Sequence, residues 1–143
     1  MKKTLNGNHH LHYAKLTKAH RIKSKSLLAS ILKNGIKIKS TNFGIIFFWK
    51  ASTDSILDVS TKFAISVSKK VSKKAVERNR LKRVYKHAWQ LVMPKWEAQV
   101  PIGFTLCLFL VIYQRTLNSL ENVIQEMETL LQKVFLNLPH AKN

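Results

Sequence analysis

The sequence has one cysteine, Cys107, so it holds no internal disulfide and no cysteine-built zinc site. Cys107 lies inside an apolar run, where it reads as a small buried hydrophobe suited to a reducing cytoplasm. Seven acids face 25 Lys and Arg, a net charge of +18. So few, scattered carboxylates nominate no acid/base pair. There is no Walker A loop, GxGxxG, HExxH or CxxC. Ser66 and Ser68 precede His87 without an orienting acid placed beside them, which leaves no case for a nucleophile. The basic N-terminus lacks the apolar core of a signal peptide. The longest apolar run, at 100–113, is too short for a membrane span and carries Pro101 and Gly103; it reads as a buried strand. The chain is expected to position something rather than transform it.

What is present is positive charge, unevenly spread. Residues 1–95 carry 22 Lys and Arg against Asp54, Asp58 and Glu77. Residues 96–143 carry three against four acids. A polyanion is therefore expected on the first two thirds of the chain, and nucleic acid is the first candidate.

The charge peaks at 66–86, SVSKKVSKKAVERNRLKRVYK. FAISVS at 63–68 alternates as a half-buried strand does. Ser72 is a plausible N-cap for a helix over 73–92, with Pro94 just beyond its end. Helical spacing puts Leu81, Val84, Tyr85, Ala88 and Val92 on one face. Arg78, Asn79, Lys82, Arg83 and Lys86 cover the opposite arc. A solvated basic face is the ordinary reading of such an arc. Here nearly all charges share one sign and repel at i,i+4, and Lys73 and Lys74 oppose the helix dipole. A polyanion across the helix start offsets both costs.

Residues 1–19 read as a flexible basic tail; His9, His10 and His12 have no carboxylate or cysteine nearby to complete a metal site. Residues 21–34 form a short helix with stripe Leu27, Leu28, Ile31 and Leu32, and Gly35 falls where a C-cap glycine would. IKIKS (36–40) and NFGIIFFWK (42–50) read as strands. The second puts Phe43, Ile45, Phe47 and Trp49 on one face and Ile46 and Phe48 on the other. Core packing is the default for these aromatics; an open platform for unpaired bases is the alternative. After a turn at 51–60 and the strand and helix above come a loop at 94–101, a strand near 103–112, and a helix over 117–136. That order is α+β: a small sheet covered by helices, in one domain at 20–138, with 139–143 loose.

The stretch 63–89 resembles the signature of the bacterial ribonuclease P protein subunit. The matching residues run from Ile65 to Lys70, then Ala75, Val76, Arg78, Asn79, Arg80, Lys82 and Arg83. Arg21-Ile22-Lys23, Gly35 and Phe43 extend the likeness in outline. Ala64 stands where the family usually has Gly, Lys86 where it has Arg, and Leu28, Leu32 and Ile46 where it has aromatics.

The resemblance implies a four-stranded sheet, order α-β-β-β-α-β-α, with a left-handed βαβ crossover like that in the second domain of a small-subunit ribosomal protein. It implies a partner in the ribonuclease P RNA, bound by Lys69, Lys70, Lys73, Lys74, Arg78, Asn79, Arg80, Lys82, Arg83 and Lys86. It implies that the 5′ leader of precursor tRNA meets Arg21, Lys23, Leu28, Leu32 and Ile46, with Phe43 and Phe47 replacing the missing aromatics. The RNA subunit would supply the active site and its Mg²⁺; the protein would bind no cofactor of its own, no small-molecule substrate and no membrane, in the cytoplasm. A general or ribosomal RNA-binding protein is the competing reading. A DNA-binding regulator is disfavoured by the lack of a second helix at helix-turn-helix spacing.

Overall fold

The computed structural model describes residues 20–51, 60–115 and 119–138. The expectations for 1–19, for the turn after residue 51 and for 139–143 fall wholly or mostly outside these.

Helix α1 (Lys25–Asn34) begins at Ser24, whose hydroxyl accepts from the Leu27 N–H at 3.1 Å. It is shorter than the expected 21–34 because residues 21–22 pair with a strand instead. Gly35 does cap α1, but with an extended backbone (φ −71°) rather than a left-handed one. What it supplies is room. A Cβ at Gly35 would lie 2.6 Å from the Ile46 Cγ2 and 3.0 Å from the Phe47 carbonyl oxygen. The end of α1 thus rests directly on the next strands.

Those strands are β1 (Ile36–Lys39), β2 (Phe43–Ala51), β3 (Thr61–Val67) and β4 (Phe104–Ile112). Their order in the sheet is β1-β2-β4-β3. β1 and β2 pair antiparallel, as do β2 and β4, while β3 and β4 run parallel. Parallel neighbours need a crossover. Here it is α2 (Ala75–Glu97), the helix of the basic run. Helix α3 (Leu120–Leu136) starts at Ser119, which accepts from the Asn122 N–H at 3.2 Å.

Register fixes which side chains share a face. Phe43 stands opposite Ile112, and Phe63 opposite Leu108. Phe43, Ile45, Phe47, Phe63, Leu106, Leu108, Leu110 and Ile112 are buried in the main core with α2 and α3. Phe63 stacks on Trp89 of α2, centroids 4.4 Å apart and planes at 13°. Phe43 meets Tyr85 edge-on at 5.2 Å. Burial pushes the Tyr85 hydroxyl up to about 12, and Glu126 adds to the effect. Glu126 fastens α3 to the β1–β2 turn, accepting from the Asn42 N–H at 3.0 Å, from Asn42 Nδ2 at 2.8 Å and from the Ser40 hydroxyl. The opposite face of the sheet is covered in part by α1, which packs on β2 and β4. Cys107 is fully buried on that face, and burial raises its thiol.

Two boundaries differ from the sequence reading. Ser72 does not cap α2. Lys74 holds the N-cap position with no side-chain bond, because the Ser72 hydroxyl donates to Glu77 instead. Nor does Pro94 stop the helix. Pro94 removes one donor near the end, but Trp96 packs on Phe135 at 5.1 Å and the Thr61 hydroxyl donates to Glu97 at 3.3 Å. Tertiary contacts carry α2 one turn past the proline.

Candidate nucleic-acid interface

The site begins in the turn between β3 and α2. The Val71 and Ser72 N–H groups both donate to the Ser68 carbonyl, at 3.1 and 3.3 Å. This folds the chain sharply and brings Lys69, Lys70, Lys73 and Lys74, all exposed, around the start of α2. Ser72 is buried beneath them and donates to Glu77 Oε1 at 2.5 Å. That bond holds the Glu77 carboxyl below its ordinary 4.5, against some desolvation and with help from Arg115, Lys74 and Arg80. A carboxylate in the first turn also suits the helix dipole, which the uncapped Lys74 does not serve.

Arg78 turns back on the same loop. Its Nη1 donates to the Ser72 carbonyl at 2.9 Å and the Lys73 carbonyl at 3.0 Å. Arg78 therefore shapes the surface as well as charging it. Asn79, Arg80, Lys82 and Arg83 are exposed, and Lys86 is half-buried. The other face of α2 is core: Leu81, Tyr85, Ala88, Trp89, Val92, Met93 and Trp96 are buried. Val84, expected among them, is half-buried at the boundary.

The ion pairs among the described residues lie elsewhere. His20 sits 3.7 Å from Glu97, and Lys95 3.0 Å from Glu128, both at the far end of α2. The basic start of the helix keeps one carboxylate, Glu77, among nine exposed or half-exposed lysines and arginines from Lys73 to Lys86 and the turn before it. Beside it a groove of about 720 Å³ is lined by Arg80, Arg83, Val84, Lys86, His87 and Leu120. His87, weighed from sequence only as a base beside Ser66 and Ser68, thus lines the basic groove.

The leader residues divide. Phe43 and Phe47 are fully buried on the face under α2 and α3, so the expectation that they replace the missing aromatics is corrected: neither presents any surface in this fold. Leu28 and Ile46 are half-buried and Leu32 is exposed. Arg21 and Lys23 are exposed, and Arg21 forms a parallel bridge with Phe63. Besides Ile46, the solvent-facing part of the α1 side carries side chains with no leader role expected from sequence. By register, Lys37, Lys39, Ile46, Phe109, Val111 and Tyr113 share it. The Lys39 ammonium lies 5.9 Å from the Tyr113 ring centroid. Tyr113 leans over Gly44, where a Cβ would come within 3.1 Å of its Cζ. The signal for Tyr113 was in the sequence as strand parity, two beyond Val111.

The family model for Ribonuclease P matches residues 16–135. The chain belongs to the ribonuclease P protein family. The ribonuclease P protein component of Trichormus variabilis is 29% identical over 134 residues, covering 80% of this chain and 96% of that protein. That of Picosynechococcus is 32% identical over 116 residues, covering 81% and 90%. Among solved structures, the ribonuclease P protein of Staphylococcus aureus is similar with a TM-score of 0.59 at 21% identity, covering 82% of this chain and 96% of that one. Family membership ties the chain to ribonuclease P and tRNA processing. It also gives the basic face of α2 a context: a ribonucleoprotein.

Proposed function

We propose that this chain is the protein subunit of the ribonuclease P ribonucleoprotein, that it binds the catalytic RNA through the start of α2 and the turn before it, and that it guides the 5′ leader of precursor tRNA. One observation carries the reading. The basic residues from Lys69 to Lys86 are gathered on one surface, braced from below by Ser72, Glu77 and Arg78, and among the described residues no ion pair other than contact with Glu77 neutralises them. Such a surface is built to displace counterions from a phosphate backbone. Arg80 and Arg83 offer two-pronged contacts to phosphate, and Asn79 offers a donor and acceptor to a base edge or a 2′-hydroxyl.

The leader runs on the α1 side of the sheet. Phe109 and Tyr113 supply stacking area, Leu28, Leu32 and Ile46 an apolar wall, and Lys37, Lys39, Arg21 and Lys23 the charge. An aromatic platform rimmed by cations is what a single strand requires. Mg²⁺ and the hydrolytic chemistry belong to the RNA subunit; this chain contributes binding and orientation. The setting is the cytoplasm, and no helix among the described residues is long and apolar enough to cross a membrane.

Salt titration tests the RNA-binding half. The protein is titrated with ribonuclease P RNA and with an unrelated structured RNA of equal length. Tighter binding to the former, with a steep salt dependence for both, is expected. Equal affinity for both at every salt concentration would refute a dedicated subunit.

A further inference from the structure

We infer that the chain holds a pocket for one unpaired nucleotide of its RNA partner, at the free edge of β3; this rests on the RNA-binding reading above. A cavity of about 480 Å³ opens between the segment before α1, strand β3 and the outer arc of α2. That volume lies within the ordinary range for small-ligand sites. Its floor is apolar, made by Ile22, Phe63, Ala64 and Ile65. Its rim is cationic, with Arg21, Lys82, Arg83 and Lys86, and Asn79 joins it from α2.

The backbone completes the site. β3 is an edge strand, and its outer side is paired only at the Arg21–Phe63 bridge among the described residues. There the Ile22 N–H donates to the Phe63 carbonyl at 3.3 Å, so the carbonyl of Phe63 points outward. Strand geometry repeats every two residues, so the N–H and carbonyl of Ile65 also point to the free edge. The segment before α1 then leaves the strand to enter the helix at Ser24. A flat base entering here meets apolar surface on one side, the Arg83 and Lys86 stems on the other, and a donor–acceptor pair at its edge. Its phosphate reaches Arg21 and Lys82. A base-paired helix presents phosphates but no free base face, so the occupant is an extruded or single-stranded nucleotide.

The test separates base from phosphate. The free, full-length protein is titrated with adenosine monophosphate, and in parallel with inorganic phosphate, while its amide resonances are followed. Adenosine monophosphate should shift the amides of Ile22, Ile65 and Asn79, with phosphate alone leaving Ile65 unmoved. Identical shifts from both, or none from either, would overturn the pocket. A filling variant gives the second arm. Ala64→Leu should weaken binding to ribonuclease P RNA by about tenfold, the scale of one lost stacked base, with its salt slope unchanged. Unchanged affinity in a variant that melts normally would overturn the proposal. Should Ala64→Leu fail to fold, the nucleotide titration decides alone. Neither arm uses cleavage, so the pocket can fail while the subunit reading stands.

Discussion

Arg78 reaches back across one helical turn to hold Ser72, its Nη1 2.9 Å from the Ser72 carbonyl oxygen. Two residues on, Arg80 makes no such bond among the described residues and lies exposed. Neighbours in one motif thus have different work. Arg78→Ala should lower stability by about 1–2 kcal/mol, since it strips a charged donor from two carbonyls. Arg80→Ala should leave the melting temperature within about a degree or two and reduce the salt slope of RNA binding by about one counterion unit. Thermal melts and salt titrations of both variants check this. Equal melting losses for the two would contradict it.

Acid should loosen the attachment of α3. Desolvation raises the Glu126 carboxyl, but the bonds from Asn42 and Ser40 outweigh it and leave the group below its ordinary 4.5. A depressed folded value means that the stabilisation is complete above about pH 4.5 and is lost as pH falls through the folded value. Glu77 has the same sign. Glu126→Gln should cost about 1–2 kcal/mol at neutral pH and make the acid limb of the stability curve shallower. Urea midpoints from pH 3 to 7 measure both. A variant curve parallel to that of the wild type would count against the Glu126 contacts.

The Phe63–Trp89 stack should be a main fastening between sheet and basic helix. Trp89 is fully buried, so Trp89→Ala should cost about 3–5 kcal/mol. Because the same contact seats α2, residual folded protein should also bind RNA more weakly. Calorimetry and filter binding test the pair of effects; a loss below about 1 kcal/mol would show that the stack is dispensable.

Leader discrimination should follow the face of the sheet. Tyr113→Ala should reduce affinity for a precursor with a long leader by about tenfold and leave a leaderless tRNA unaffected. Phe43→Ala should instead destabilise the fold by about 3–5 kcal/mol and weaken both substrates alike. Competition binding with the two substrates separates the cases. The reverse pattern would restore Phe43 as a contact residue.

That reversal of faces shows what was legible. The basic run was readable because its residues are consecutive and its helical arc needs only a 100° step. The buried arc of α2 was readable for the same reason, as was the α+β order. Alternation in β2 correctly divided Phe43 and Phe47 from Ile46, but both sets are apolar. Nothing local says that two helices cover one face and one short helix the other. Ser72 looked like a cap because serine precedes helices so often. Its hydroxyl went to Glu77, five residues away. Pro94 looked like a stop because the contacts that carry the helix onward come from Phe135 and Thr61, distant in sequence.

As the proposed subunit, this chain should make a ribonuclease P RNA work on precursor tRNA. The most direct measurement is reconstitution at low Mg²⁺, where the RNA alone is weak. Purified protein, a bacterial ribonuclease P RNA and a precursor tRNA are mixed, and release of the 5′ leader is followed. Release that requires both protein and RNA, and falls when Arg80 and Lys82 are replaced by alanine, is the expected result. Tight RNA binding without any stimulation of cleavage by a cognate RNA would rule out the subunit role.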